Sequence, residues 1–311
     1  MLNNISPTTI EHSFKICQNI MKNHSQSFFQ AFNLLPKDMF NGVSALYAYN
    51  RFVDDLVDDN SLDSSKSLAS LARLEETLIQ FDAGNEIKEK EFTDLNWWPA
   101  FTHTVNKYQV PLQALIDQIE GQRLDLQQQV IDSIDDLVHY AEKVAGSVGL
   151  MLLPILVEDN QNITTSLKTA CQNLGIAMQF TNILRDVGED YRDHDRIYLP
   201  SQIMVKHQVT DDMIGQLAES PSDKPLHIPD NVIALWEEIA SYSTTYYEQI
   251  HEHIQSFHPK ARLPLIASAK VYQNIEEVVR ENDYNCFTER QYTSKLKRTQ
   301  LIRQAQKIVN E

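Results

Sequence analysis

Glycine and proline are scarce in this sequence, at 8 and 11 of its 311 residues. A sheet-rich chain of this length needs more glycine for its tight turns. Leucine, glutamine, glutamate, lysine and alanine are plentiful instead, and these residues favour helices. The composition therefore predicts an all-α fold, and it excludes collagen-like, low-complexity and disulfide-scaffold proteins.

Cysteine is also rare, and Cys17, Cys171 and Cys286 form no CxxC pair. This usage predicts reduced, buried thiols in a cytosolic protein, with neither a disulfide framework nor a zinc site. The first residues lack the basic and apolar regions of a signal peptide. The longest apolar stretch, residues 148–157, is too short to span a bilayer. We expect a cytoplasmic protein, with peripheral contact at the inner face of the cell membrane as its closest approach to lipid.

Positive charge is in deficit, because 27 lysines and arginines face 43 aspartates and glutamates and leave a net charge of −16. A general nucleic-acid binder needs a basic surface to displace counterions from phosphates, so that class of partner is excluded. A phosphorylated small molecule can still bind through a few local cations or metal ions. The basic segment 290–307 predicts a solvated terminal helix, and contact of this helix with anionic lipid is the alternative.

Short polar breaks divide the chain at residues 59–66, 82–96, 158–165 and 220–231. The stretches between them carry apolar residues at helical spacing, and no break has the composition of a domain linker. The sequence therefore predicts one helical domain of roughly ten helices over residues 1–311.

The first candidate motif is YAYNRFVDDLVDD, at residues 47–59. Asp54 and Asp58 are four residues apart, so they lie on one face of a helix, about 6 Å apart along its axis. Tyr47 and Arg51 lie on the same side. A solvated acidic face explains an isolated pair of this kind. The convergence of acid, base and phenol within an apolar segment favours a functional site.

The second candidate motif is QFTNILRDVGED, at residues 179–190. Four side chains with oxygen atoms share one helix face: Gln179, Asn182, Asp186 and Asp190. Arg185 adjoins them, and the opposite face is apolar. Such a division favours a ligand-binding role over an ordinary surface helix.

Two helices that carry carboxylates in one bundle predict a shared site. Carboxylates packed together raise each other's pKa unless cations neutralise them. Mg²⁺ prefers oxygen ligands and is commonly held by one or two carboxylates plus phosphate oxygens. We therefore hypothesise a clamp for a diphosphate, whose departure leaves an allylic prenyl cation in an apolar cavity.

At this point the sequence resembles the squalene/phytoene synthase family, the head-to-head class of trans-isoprenyl diphosphate synthases. A weaker tail at residues 271–290 extends the resemblance over nearly the whole chain. Glu142 and Lys143 are a departure, because the family often carries another aromatic residue there. The resemblance rests on five blocks in the family's order, namely residues 24–36 (HSQSFFQAFNLLP), 47–59, 120–125 (EGQRLD), 140–152 (YAEKVAGSVGLML) and 179–200 (QFTNILRDVGEDYRDHDRIYLP).

The resemblance implies an isoprenoid synthase fold in which the two acidic motifs face each other across a central cavity. It implies two or three Mg²⁺ ions per site, held by Asp54, Asp58, Asn182, Asp186 and Asp190. It implies diphosphate contacts from His24, Ser25, Gln26, Ser27, Tyr47, Arg51, Gln179, Arg185 and Tyr272. The residues it implies for catalysis are Asp54, Asp58, Tyr47, Arg51, Asp186 and Tyr272. Asp125 is expected to support the site, and Phe28 and Phe32 to line the prenyl tunnel.

The implied reaction has two steps. One prenyl diphosphate ionises and alkylates the other to give a cyclopropyl diphosphate, which ionises and rearranges to a linear hydrocarbon. Phe32, one turn beyond Phe28, predicts a cavity floor that admits C15 chains. We therefore expect two farnesyl diphosphates to give dehydrosqualene, with phytoene from geranylgeranyl diphosphate as the runner-up. NADPH is not expected to be required; a squalene synthase that uses NADPH is the further alternative.

Other helical proteins fit less well. A head-to-tail elongase carries aspartate where this chain has Arg185, and a class I cyclase has a different second motif. A di-iron protein needs two ExxH pairs, and Glu248–His251 is the only match. A non-catalytic assembly protein with the same fold should lose metal ligands, and all five are present here.

Overall fold

A computed structural model describes residues 6–58, 64–87, 89–221 and 226–310, without the side chains of Ser27 and Asp58. The all-α prediction is confirmed. Within the described residues the regular structure is helical, and the only extended pairing is one isolated bridge between Val157 and Phe257.

The described residues form more helices than the ten predicted, because short helices lie inside the polar breaks and caps divide some long apolar stretches. A π-helical turn covers Glu142–Gly146, and 3₁₀ turns cover Asn160–Asn162 and Gln249–Ser256. The α-helices are α1 Pro7–His24, α2 Gln26–Phe32, α3 Lys37–Asp58, α4 Ser64–Asp82, α5 Lys90–Thr93, α6 Trp98–Tyr108, α7 Leu112–Leu126, α8 Ile134–Ala141, α9 Ser147–Leu156, α10 Thr165–His194, α11 Ser201–Lys206, α12 Asp211–Ala218, α13 Asp230–Glu248, α14 Pro259–Glu281 and α15 Lys295–Asn310.

Ser25 separates α1 from α2. Its backbone leaves the helical region, with φ −145° and ψ 89°, and its Oγ accepts a hydrogen bond from the Phe28 N–H at 3.5 Å. A serine that caps a following helix in this way ends the preceding one. His24, Ser25 and Gln26 therefore lie at a corner between two helices.

The 30-residue helix α10 lies between two apolar clusters. Leu174 and Ala177 pack into the cluster formed with α1, α3, α4, α6, α7 and α9. Phe180 and Leu184 pack into the cluster formed with α8, α11, α12 and α13. Full burial of such side chains contributes about 1.5–3 kcal/mol each, so α10 is firmly fixed on both sides.

Backbone contact brings α9 and the π-helical turn against α10. A Cβ atom on Gly149 would lie 2.2 Å from the carbonyl oxygen of Cys171, and one on Gly175 would lie 2.2 Å from that of Ala145. Neither position can accept a larger side chain without moving a helix. This close approach forms the wall of the cavity described below.

The three cysteines are free and buried, as the sequence predicts. Burial raises the pKa of the Cys17 and Cys171 thiols to about 12, so both are protonated at neutral pH. Among the residues that the structure describes, no helix is both long and apolar enough to cross a membrane.

Candidate active site

A cavity of about 260 Å³ lies among α2, α3, α9, α10 and α14. The first acidic motif contributes Asp54 to its wall, and the second contributes Gln179 and Asn182. Tyr47 and Tyr272, both expected at the diphosphate, also line it. The structure thus brings parts of both sequence motifs to one cavity.

The cavity lining changes from polar to apolar along α10. Asn182 and Gln179 lie at one end, and Leu174 and Cys171 at the other, so the change extends over about 16 Å of helix. The apolar part of the wall is completed by Val148, Leu152, Leu153, Leu156, Phe257 and Leu265.

A row of three aromatic rings forms another part of the wall. The Phe28 ring stacks on that of Tyr272 at 5.0 Å and on that of Phe32 at 5.9 Å between centroids. Phe32 is only 3% exposed. The two phenylalanines predicted for a tunnel therefore lie where an apolar chain from the polar end would pass.

Asp54 is held by two amides of α7. Gln122 Nε2 donates to its Oδ1 at 2.7 Å, and Gln118 Nε2 at 3.3 Å. Neither glutamine is indicated as a site residue by the sequence motifs, although Gln122 lies within the EGQRLD block. Arg51 pairs with Asp55, and the side chain of Asp58 lies outside the described residues. Burial raises the pKa of Tyr47 to about 12, so its phenol stays protonated.

Asn182 offers a carbonyl oxygen that is buried without a hydrogen-bond partner. Its Nδ2 donates to Gln179 Oε1 at 3.3 Å, which orients the amide. Asn50 Oδ1, in the same cavity wall, is also buried without a partner, although the spacing in the first motif does not indicate it as a site residue. Buried acceptors normally find donors, so these two atoms suit a cation or another electron-poor group.

Asp186 lies between two guanidinium groups. Arg185 contacts its carboxylate at 2.7 and 2.5 Å, and Arg290 at 3.1 Å. Asp190 lies one turn further on, in a small cleft beside Arg196 and Tyr198. Burial, and then the charges of Asp186 and neighbouring acids, raise the pKa of Asp190 to about 8.

The described oxygen donors fit Mg²⁺. The part of the chain that the structure describes holds no group of three or more His, Cys, Asp or Glu side chains placed for a metal. Asp58 falls outside it, and Asn182 is a different donor type. The buried, unpartnered Oδ1 of Asn182 and the carboxylate of Asp54 in the same wall are the hard ligands that Mg²⁺ prefers.

A second, cationic pocket of about 390 Å³ shares Tyr272 with the cavity. Three arginines line it: Arg185, Arg290 and Arg298. The predicted diphosphate ligands His24, Ser25 and Gln26 also line it, while the side chain of Ser27 lies outside the described residues. We call this the arginine pocket.

Arg290, Tyr292 and Arg298 line this pocket, although the sequence motifs do not indicate them as site residues. They follow α14, 100 residues or more after the end of the second motif, so no local spacing connects them with it. The basic composition of the tail is the available signal in the sequence, and by itself it predicts only a solvated helix.

Asp125 accepts two phenol hydrogen bonds, from Tyr198 at 2.8 Å and from Tyr140 at 3.0 Å. Arg196 lies over the Tyr198 ring at 5.1 Å. Lys143, at the departure from the family pattern, pairs with Asp117 at 2.8 Å and is not among the cavity-lining residues. Asp125 therefore joins α7, α8 and the segment after α10 behind the site.

Comparison with known proteins agrees with this geometry. The profile of the squalene/phytoene synthase family matches residues 21–299. The 4,4'-diapophytoene synthase of Staphylococcus haemolyticus is 30% identical over 96% of this chain and 98% of its own. The phytoene synthase of Arthrospira platensis is 29% identical over 97% of this chain and 94% of its own.

A crystal structure of a dehydrosqualene synthase in complex with a ligand superposes with a TM-score of 0.84 at 31% identity. The match covers 97% of this chain and 98% of that one. Sequence and fold thus agree over nearly the whole length. The chain belongs to the squalene/phytoene synthase family and is a prenyltransferase of the head-to-head class.

Proposed function

We propose that this protein condenses two farnesyl diphosphates head to head, through a cyclopropyl diphosphate, to dehydrosqualene (4,4'-diapophytoene). The observation that carries the proposal is the junction at Tyr272 between the arginine pocket and the apolar cavity. A prenyl diphosphate has the same two parts, an anionic head and an apolar chain. A bound substrate can place its head among the arginines and its chain along the aromatic row.

The arginines act on the leaving group. As the C–O bond breaks, the diphosphate leaves with the electron pair, and its negative charge increases. Arg185 and Arg290 present fixed guanidinium groups to that charge. Arg185 is buried, which strengthens its attraction for the anion.

Five residues would hold Mg²⁺: Asp54, Asp58, Asn182, Asp186 and Asp190. When bound, the metal supplies Lewis-acid stabilisation of the departing diphosphate. Gln118 and Gln122 orient Asp54 for this role. Gln179 orients the amide of Asn182.

The cavity protects the carbocation. Its apolar wall excludes water, which would otherwise capture the cation as an alcohol. The aromatic rings in the cavity wall offer negative π density to a positive centre. The double bond of the second chain supplies the electrons for the new carbon–carbon bond, and a proton leaves to close the cyclopropane ring.

The second half-reaction releases the second diphosphate and ends with loss of a proton. Because a proton is lost and no hydride is added, the product forms without a reductant. NADPH is therefore not required in this proposal. A squalene-type enzyme would instead stop at the cyclopropyl diphosphate until NADPH is added.

The C15 chain length is supported by Phe32, which is almost fully buried in the cavity wall. The matches to a diapophytoene synthase and a dehydrosqualene synthase point the same way. Phytoene formation from geranylgeranyl diphosphate is the second candidate, because the chain is equally similar to phytoene synthases.

Product analysis tests the proposal. The purified protein is incubated with Mg²⁺ and either farnesyl or geranylgeranyl diphosphate, with and without NADPH, and the hydrocarbons are identified by mass spectrometry. We expect dehydrosqualene from the C15 substrate in both NADPH conditions. Preferred formation of phytoene would reject farnesyl diphosphate as the proposed substrate. Accumulation of the cyclopropyl diphosphate without NADPH would reject the proposed final step, the loss of a proton.

A further inference from the structure

Two segments of this acidic protein are basic. Residues 12–37 contain three lysines and no acidic residue. Helix α15 contains five basic residues and no acidic one, although the whole chain has a net charge of −16. The basic residues of α15 are Lys295, Lys297, Arg298, Arg303 and Lys307.

The structure places the start of α15 beside α2, which lies within the first of these segments. Arg298 Nη1 donates to Gln30 Oε1 on α2 at 3.3 Å, which joins the first turns of α15 to α2. Arg298 also lines the arginine pocket together with His24 and Gln26. The start of α15, which carries Lys295 and Lys297, and the end of α2 therefore form one surface beside the opening of that pocket.

Large apolar side chains project from this surface. Leu296 is 72% exposed, Tyr292 63% and Leu34 51%. Tyr292 also lines the arginine pocket, so the pocket opens here. We call the surface formed by Leu34, Tyr292 and residues 295–298 the docking face.

We propose that the docking face binds a bilayer that contains anionic lipid. Lysines beside exposed apolar side chains match the two layers of such a surface, because the ammonium groups meet lipid phosphates while leucine and tyrosine enter the headgroup region. The protein as a whole carries a net negative charge, so this basic face is the part of it that an anionic bilayer attracts.

The choice of partner rests on the proposed function, since a prenyl diphosphate and a C30 hydrocarbon both partition into lipid. A docked enzyme has the mouth of its arginine pocket against the leaflet. Substrate then enters and product leaves without crossing water.

Vesicle co-sedimentation tests this proposal without any substrate. Wild-type protein is mixed with vesicles of phosphatidylcholine alone, or of phosphatidylcholine and phosphatidylglycerol in equal parts. We compare Lys295→Glu/Lys297→Glu and Leu296→Asp with wild type. A lysine near an anionic surface accounts for about a fivefold change in binding, so the double charge reversal should lower the affinity by at least about 25-fold.

The matched controls are substitutions away from the docking face, at the starts of α10 and α14 and on α11. Lys168→Glu/Lys260→Glu reverses two exposed charges at the starts of α10 and α14, and Val205→Asp alters an apolar residue that is 75% exposed. Both controls should bind anionic vesicles like wild type. Circular dichroism of every variant verifies its folding.

The proposal is supported if anionic vesicles bind wild type and both controls, while the docking-face variants bind weakly. It is rejected if wild type binds neither vesicle, or if the controls lose as much binding as the docking-face variants. Turnover with detergent-dispersed substrate should stay unchanged in the docking-face variants. Absent turnover in wild type would count against the proposed function and leave the vesicle result standing.

Discussion

Arg290 contacts Asp186 across 104 residues of sequence. Its Nη2 lies 3.1 Å from Asp186 Oδ2, and its Nη1 lies 2.8 Å from Glu189 Oε1. Arg185 contacts the same Asp186 carboxylate from its own helix. This carboxylate is a proposed metal ligand, so the two guanidinium groups compete with the metal for it. A bound diphosphate offers Arg290 a different anion.

Replacing Arg290 separates these two effects. Arg290→Gln removes a cation beside Asp186, so we expect the divalent metal to bind about threefold to tenfold more tightly in the absence of substrate. The same change removes a diphosphate contact, so KM for the prenyl diphosphate should rise by about tenfold. Titration with Mn²⁺ followed by electron paramagnetic resonance measures the first effect, and steady-state kinetics the second.

Arg303→Gln, on the exposed side of α15, is the control and should change neither quantity. Weaker metal binding in Arg290→Gln would show that Arg290 supports the metal ligands and does not compete for them.

The metal ligands can be tested one motif at a time. Asp54→Asn and Asp186→Asn keep the side-chain shape but remove a charge, so each should lower Mg²⁺-dependent turnover by at least about 100-fold. Each should also weaken Mn²⁺ binding while leaving the helical circular-dichroism spectrum intact. Asp193→Asn, an exposed position on the same helix as Asp186, should retain activity. Undiminished turnover in either motif variant, or in excess EDTA, would contradict the assignment.

The helical parts of the site could be predicted from the sequence because a helix repeats every 3.6 residues. Asn182 and Gln179 are three residues apart, and both line the cavity. The spacing also predicts that Asp54 faces the same interior. Ser25 is of a residue type that favours helix starts, and its side chain caps α2.

The contacts between distant segments could not be predicted in this way. Arg290 reaches Asp186 from a loop after α14, and no periodicity relates a loop residue to a helix. Asn50 lies in the first motif, but the absence of a hydrogen-bond partner for its Oδ1 depends on the surrounding helices. The π-helical turn at Glu142–Gly146 has no reliable local pattern, so the departure at Lys143 could not be placed.

Phe32 is expected to set the length of the prenyl chain. Phe32→Ala removes a buried ring from the cavity wall, and the space gained should admit a further five-carbon unit. We expect the variant to form C40 product from geranylgeranyl diphosphate that wild type makes poorly, as measured by mass spectrometry. Because the truncation costs about 3–5 kcal/mol of stability, Phe32→Leu provides a milder second variant.

Phe29→Ala is the matched control for this prediction. Phe29 lies on the same helix but packs against Phe40, at 5.6 Å between ring centroids, and is not among the cavity-lining residues. It should leave the product length unchanged. If the wild type prefers the C20 substrate, or if neither Phe32 variant gains C40 product, Phe32 does not form the floor of the cavity.

A buried carboxyl group joins the two helices that carry the site. Glu276, 2% exposed, lies one turn after Tyr272 on α14. Its Oε1 accepts hydrogen bonds from Thr181 of α10 at 2.6 Å and from Ser243 of α13 at 2.7 Å. Tyr247 bonds Thr181 at 3.0 Å. Thr181 lies next to Asn182, so this network fixes the second motif relative to Tyr272.

Burial raises the pKa of Glu276 above its ordinary value of 4.5, and this determines how stability varies with pH. The hydrogen bonds from Thr181 and Ser243 and the charge of Arg280 oppose the shift, while Glu277 adds to it. The folded protein keeps its proton at a pH where the unfolded chain has released it. Stability is therefore fully present below about pH 4.5 and is lost as pH rises towards the folded pKa.

Glu276→Gln removes this titration, so the variant should gain stability relative to wild type as pH rises from about 4.5, by at most about 1.4 kcal/mol per pH unit, and then level off. Thr181→Val removes a bond that lowers the pKa, so it should extend the loss of stability to higher pH. Urea unfolding at a series of pH values measures both differences. A constant difference between Glu276→Gln and wild type across the range would mean that Glu276 is charged in the folded protein, and its bonds to Thr181 and Ser243 would then be those of a carboxylate.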